Sequence, residues 1–147
     1  MNQHNPFRLM MLRHGNTFHS HEKAVQVGCK TDLALTDKGI AQAQSFAQFL
    51  LSNHLQPIAI YAGSLQRQVQ SAKILHEVFN DALLSTHEKA LDEIDYGLWE
   101  GHTSEAIEAA WPTEYAAWKD HATWPSHIFQ GAFEDHLELL KKWLEQI

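Results

Sequence analysis

Apolar positions along this chain fall in short runs that alternate with stretches of helical spacing. Phe7–Leu12 is a short, nearly continuous apolar run ending at His14-Gly15, the pattern of a buried strand that feeds a loop. Thr36 then opens a helical pattern. Its hydroxyl suits an N-cap, Asp37 suits the positive helix start, and Ile40, Ala43, Ala47 and Leu50 share one face. Gly39 is a weak point in that helix. Pro57 marks a break, and Ile58–Ala62 is a second apolar run. Gly63-Ser64 follows, and Ser64 is expected to cap a helix with Leu65, Val69, Ala72, Leu75 or His76, and Phe79 on one face. Leu83–Leu91 reads as a third strand. Thr103 or Ser104 caps a helix toward Trp111, and Pro112 ends or restarts it. Ala132–Gln146 closes the chain as an amphipathic helix with Phe133, Leu137, Leu140 and Leu144 on one side.

Strand, helix, strand, helix in this order predicts βαβ units, hence an α/β fold: a three-layer α/β/α sandwich with a mostly parallel sheet. Functional loops in such sheets lie beyond the carboxyl ends of the strands. Two chemically loaded segments fall there, Arg13-His14-Gly15 and Ser64–Arg67.

The 147 residues suit one domain spanning 1–147, and no linker or repeat divides them. Apolar residues make up 44%, enough for a real core. Eleven Lys and Arg against 18 Asp and Glu give a net charge of −7, which argues against non-specific nucleic-acid binding and against docking on an anionic membrane. A basic pocket for a single phosphate is compatible with that balance. The eleven histidines make the net charge sensitive to pH near 6.5. Cys29 is the single cysteine, which precludes an intramolecular disulfide and a thiolate metal cage. The N-terminal apolar run is interrupted by Arg8 and is too short for a signal core or membrane span, so a cytoplasmic protein is expected.

Three segments carry chemistry. In Arg13-His14-Gly15-Asn16-Thr17 the glycine lets the backbone turn beside the imidazole, and the arginine offers a planar fork of donors to a phosphate. Taken alone, a loop histidine with a solvated arginine is the commoner occurrence. In Tyr61–Ala72, Arg67 lies in the first turn of its helix, where the dipole disfavours a cation. An anion between the helix start and the guanidinium would offset that cost. In Leu91–Gly101, four acids are set among apolar and aromatic residues. A carboxyl in such surroundings can act as a general acid.

Together the three segments resemble the histidine phosphatase superfamily, which includes the phosphoglycerate mutases and their phosphatase relatives. Arg13-His14-Gly15 with Thr17 is similar to its signature loop, and Thr31–Gly39 to its segment before the first helix. Ala43 falls at its usual Gln-Ala pair. Tyr61–Ala72 resembles the block with its second arginine, and Leu91–Gly101 the block with its acid. The resemblance implies a metal-independent phosphomonoester hydrolase without a cofactor. His14 would be the nucleophile that forms a phosphohistidine. Arg13 and Arg67 would clamp the phosphoryl oxygens, and Glu93 would protonate the leaving oxygen and then activate water. The substrate implied is a small phosphorylated metabolite. Trp99-Glu100-Gly101 is more similar to the phosphatase branch than to the mutase branch.

Other readings carry less. His19-Ser20-His21-Glu22 holds metal-ligating side chains, but alternation along a strand sends the two histidines to opposite faces. A His-rich metal-binding or interaction module rests on composition alone. Trp111, Trp118, Trp124 and Trp143 fit ordinary packing better than a pocket wall. Glu134, Glu138 and Lys141 read as a solvated helix face with a spaced ion pair.

Departures from the family pattern sharpen the expectations. Ser20 stands where the family has a phosphate-contacting asparagine, and Gly28-Cys29 where it often has Gly-Trp, so Ser20 and Gly28 are taken as phosphate-binding positions. The family's second catalytic histidine comes late in the chain. His121, His127 and His136 all precede the point where it would lie, and none has its context. The chain is therefore expected to be short at its C-terminus relative to the family. A phosphate-binding protein with little turnover is the alternative. In the family, the missing strand pairs beside the one leading to His14, so Phe7–Leu12 would present an exposed apolar edge. Self-association or strand exchange is expected to cover it. Light scattering across micromolar concentrations should show species larger than one chain; a strict monomer counts against the expectation.

Overall fold

The computed structural model of the chain describes residues 8–147. Strands β1 (Ala59–Tyr61) and β2 (Leu83–Ser85) pair in parallel, with Ala59, Ile60 and Tyr61 opposite Leu83, Leu84 and Ser85. Helix α2 (Gln66–Val78) is the crossover between them, as parallel strands require. Helix α1 (Asp37–Ser52) packs along α2. Their small residues Ala43, Ala47 and Ala72 let Leu50, Ile60, Leu75 and Phe79 close a buried aliphatic core. The α/β class with a parallel sheet read from the sequence is the class observed.

The element starts follow from local chemistry. The Thr36 hydroxyl accepts the Gly39 N–H at 3.2 Å and caps α1. The expected Ser64 cap is corrected: the cap position of α2 is Leu65, which makes no side-chain cap hydrogen bond, and carboxylates distant in sequence hold the N–H of the first helical residue and that of Ser64 just before the cap. The Asp92 carboxylate accepts the Ser64 N–H at 2.7 Å and the Asp32 carboxylate the Gln66 N–H at 2.6 Å. Two carboxylates outcompete a hydroxyl because they suit the positive helix start.

Two strand expectations also change. Residues 8–12 form no strand, because among the described residues no neighbouring strand offers them ladder hydrogen bonds. Leu9, Met10, Met11 and Leu12 are all exposed, Met11 to 92%; Phe7 lies outside the described residues. The third strand stops at Ser85 instead of running to Leu91. His87 adopts a left-handed φ of 69°, which ends extended backbone. The chain then makes a 3₁₀ turn over Lys89–Leu91.

A second core is aromatic. Thr103 caps α3 (Ser104–Ala110), and Pro112 restarts the chain as the first residue of α4 (Pro112–His121). These helices pack on the 3₁₀ turn Gly97–Trp99 and on Ile128-Phe129. Phe129 is the hub: Tyr96, Trp99, Trp118 and Trp124 all meet its ring edge-to-face at 5.0–5.1 Å. Such pairs add about 0.5–1.5 kcal/mol each beyond area burial. Trp111, Trp118 and Trp124 therefore serve packing, as expected. Gly97 sits at φ 53°, and a Cβ there would lie 1.8 Å from the Ile128 carbonyl oxygen, so no other residue fits.

The terminal amphipathic helix is α5 (Phe133–Leu144), but its apolar side is only partly covered: Phe133 is 49% exposed and Leu144 39%. Trp143 meets Tyr61 edge-on at 5.4 Å. The ion pair on the polar side joins Glu138 to Lys142 at 3.4 Å, one residue beyond the expected Lys141. Among the described residues no helix is long and apolar enough to cross a membrane.

The loop after residue 12 is held by α1. The Asn16 carbonyl accepts both the Thr36 N–H at 2.9 Å and the Thr36 hydroxyl at 3.1 Å, and Gln42 accepts the Asn16 N–H at 2.9 Å. Gly15 and Gly39 face each other across this contact. A Cβ on Gly39 would lie 2.3 Å from the Asn16 carbonyl oxygen, and one on Gly15 2.5 Å from the Gly39 carbonyl oxygen. Alanine in an open helix position gains about 1 kcal/mol over glycine. Here the sign should reverse: Gly39→Ala is expected to lose about 1–3 kcal/mol through overpacking against backbone. Urea denaturation measures it, and a gain in stability would contradict the close approach.

Candidate active site

His14 stands at the start of the loop clamped by Asn16 and Gly15. It is half-buried, and its Nδ1 lies 2.8 Å from the Gly15 carbonyl oxygen. A carbonyl can only accept, so Nδ1 carries the proton and Nε2 holds the lone pair. Burial lowers the His14 pKa from the ordinary 6.5. The Arg67 and Arg13 guanidinium groups lower it further, against the Gly15 hydrogen bond and the Glu93 carboxylate. The imidazole is thus neutral at neutral pH. The balance also places both arginines and Glu93 within electrostatic reach of the ring.

Arg67 is the most constrained member. Its residue is 1% exposed, which rules out a solvated arginine on the helix surface. Nη1 donates to the Thr31 carbonyl at 2.8 Å and Nη2 to the Gly28 carbonyl at 3.3 Å. At the α2 start the Asp32 carboxylate accepts the Gln66 N–H and makes no hydrogen bond with Arg67. Arg13, by contrast, is exposed.

Glu93 lies on the segment between the two 3₁₀ turns, and its carboxylate accepts the Ile94 N–H at 3.1 Å. Tyr96, on the same segment, is a further site neighbour. Burial pushes its phenol up to about 12 and Glu93 adds to the rise, while Arg13, Arg67 and a hydrogen bond with Gln26 oppose it. Tyr96 therefore stays a neutral hydroxyl beside the two arginines and the acid. The aromatic residue three positions after Glu93 was the only sequence signal for it.

Arg13, Arg67 and Glu93 thus all lie within electrostatic reach of His14. Gly28 joins them through its carbonyl on Arg67. Ser20 lies apart, exposed in a turn where Glu22 accepts the His19 N–H at 2.6 Å. In that turn the His19 and His21 rings stack, 5.8 Å apart, instead of alternating across a strand. Among the described residues no group of three or more His, Cys, Asp or Glu side chains is placed to hold a metal ion. A cavity of about 540 Å³ opens beside the His14 loop, walled by Arg13, His14, Asn16, Val25, Gln42 and Ser71. Ser20 lines a neighbouring cavity of about 390 Å³.

Comparison with known proteins identifies the family. A glucosyl-3-phosphoglycerate phosphatase from Mycolicibacterium vanbaalenii is 33% identical over 120 residues, covering 82% of this chain and 51% of that protein. The 6-phosphofructo-2-kinase/fructose-2,6-bisphosphatase 3 of Bos taurus is 29% identical over 117 residues, covering 79% of this chain and 23% of that protein. The solved structure of a mycobacterial glucosyl-3-phosphoglycerate phosphatase with inorganic phosphate superposes with a TM-score of 0.73 at 26% identity, covering 90% of this chain and 58% of that one. The chain spans about half the length of the glucosyl-3-phosphoglycerate phosphatases it matches. The profile of the histidine phosphatase superfamily (branch 1) matches residues 9–147. With its Arg13-His14-Gly15 loop and buried Arg67 set in an α/β fold of that kind, the chain belongs to the histidine phosphatase superfamily.

Proposed function

We propose that the protein hydrolyses phosphomonoesters of small metabolites through a phosphohistidine on His14. One observation carries this reading: the Nδ1 proton of His14 is committed to the Gly15 carbonyl, leaving a neutral Nε2 lone pair beside two guanidinium groups and a carboxyl. In the first step Nε2 attacks phosphorus and the P–O ester bond breaks. Glu93, in its acid form, gives its proton to the leaving oxygen. In the second step the Glu93 carboxylate takes a proton from water, the hydroxide attacks phosphorus, and the P–N bond breaks to release phosphate. Arg13 and Arg67 hold the equatorial oxygens and offset their charge. Arg67, buried and fixed by two carbonyls, is pre-oriented; exposed Arg13 closes on the bound phosphoryl group. Gly28 contributes by holding Arg67. Ser20, in its separate turn, is left to the outer contacts of a bound phosphate.

The names of the relatives support the substrate class, since both are phosphatases of phosphorylated metabolites. The alternative, phosphate binding with little turnover, is not favoured by these relatives, whose names are those of phosphatases. A reducing, cytoplasmic setting fits the single cysteine.

Two outcomes test the reading with a generic aryl phosphate. His14→Ala should abolish turnover, by at least about a thousandfold, and Arg67→Ala should lower kcat/KM by about a hundredfold or more. Equal rates in His14→Ala and the unaltered chain would sink the mechanism. The pH profile gives a third outcome. Only neutral His14 can attack, and its pKa is lowered from 6.5. The acid limb of kcat/KM, which reports the free enzyme, should therefore have its midpoint below 6.5; a His14-dependent limb above that value contradicts the site's electrostatics.

A further inference from the structure

The mechanism leaves Glu100 unused, although it is the acid most tightly built into the turn behind Arg67. Its Oε1 accepts the Thr31 hydroxyl at 2.7 Å. Its Oε2 is buried with no hydrogen-bond partner. Burying such an atom unpaired is costly, so the carboxylate is a poor choice for stability alone. What it contacts is informative. Oε2 lies against Gly28, close enough that a Cβ there would sit 2.7 Å away. Glu100 thus touches both ends of the 28–31 turn, and the carbonyls of those same two residues hold the Arg67 guanidinium. Its charge reaches the turn: burial raises the Cys29 thiol pKa, and the Asp95 and Glu100 carboxylates raise it further. The rest of the turn is pinned to the same segment, by the Cys29 N–H on the Ile94 carbonyl at 3.1 Å and by Lys30 on Asp95 at 2.8 Å.

We propose that Glu100 is a positioning residue for Arg67: by accepting the Thr31 hydroxyl and backing Gly28, it orients the two carbonyls that fix the phosphate-binding guanidinium. The proposal rests on the reading of Arg67 as a phosphoryl clamp. It makes Thr31 the relay and predicts that damage at Glu100 or Thr31 is felt through Arg67.

The experiment uses inorganic phosphate as probe, its Kd read by calorimetry, with aryl phosphate turnover measured alongside. Thr31→Val removes the hydroxyl and keeps the shape; it should weaken phosphate binding about tenfold, the scale of coupling within one hydrogen-bonded network. Glu100→Leu should do the same, and Thr31→Ser should bind like the unaltered chain. Thr31→Val in an Arg67→Ala background should cost nothing further, a non-additivity that general loosening of the fold would not produce. Circular dichroism of Thr31→Ser and Thr31→Val verifies folding, and if Thr31→Val is unfolded the Glu100→Leu variant, which removes the acceptor oxygen, takes its place in the cycle. Additive losses, or unchanged phosphate binding in the variants, would overturn the proposal. Phosphate binding without turnover in the unaltered chain would refute only the hydrolytic reading and leave this cycle decisive. Absence of both binding and turnover would remove both.

Discussion

A guanidinium taken out of water must be given acceptors, and meeting that demand at Arg67 organises much of this molecule. The buried arginine finds its acceptors in main-chain carbonyls of the Gly28–Thr31 turn. That turn must then be held against the segment bearing Glu93. Cys29, Lys30 and Thr31 each contribute one contact to do so. Lys30 shows how such contacts are balanced. Burial opposes the charge on Asp95, yet the hydrogen bonds from Lys30 and the Gly97 N–H hold its carboxyl below the usual range. The same acid therefore pins the turn and shapes the tight bend into the aromatic core.

His14 is oriented by a different device. The segment before it has no strand partner among the described residues, so the sheet does not aim the ring. Helix α1 does, through Thr36 and Gln42 on Asn16 and through the contact of Gly15 with Gly39. A histidine on a loop thereby acquires the rigidity of a helix start, at the expense of a helical residue that has no side chain.

What the sequence revealed and what it concealed divide along physical lines. Periodicity located α1, α2 and α5, because helical faces are written in side chains spaced three and four apart. The Thr36 and Thr103 caps and the restart at Pro112 were legible for the same reason. The residues around His14, Arg67 and Glu93 were singled out because their three segments together resemble one family, each segment alone being open to a commoner reading. Three features were not. The end of β2 depends on the backbone of His87, which nothing in its side chain announces. The α2 start is served by Asp32 and Asp92, which lie far from it in sequence, so the nearby Ser64 was a natural but incorrect choice. The holders of Arg67 are carbonyl groups, which every residue possesses, and only the need for a small residue at Gly28 leaves a trace. Gly39 was misjudged in the opposite direction: as a helix residue it is a defect, and as a neighbour of Asn16 it is a requirement.

The separation of the two cores has an optical consequence. Trp99, Trp111, Trp118 and Trp124 all belong to the cluster around Phe129, and Trp143 leans on Tyr61 at the margin of the sheet. The aliphatic core between α1 and α2 contains no tryptophan. Indole fluorescence therefore watches the aromatic half of the molecule and is nearly blind to the half that holds His14. A change of state confined to the α1–α2 side would pass unseen in an emission spectrum, and amide exchange would be needed to observe it.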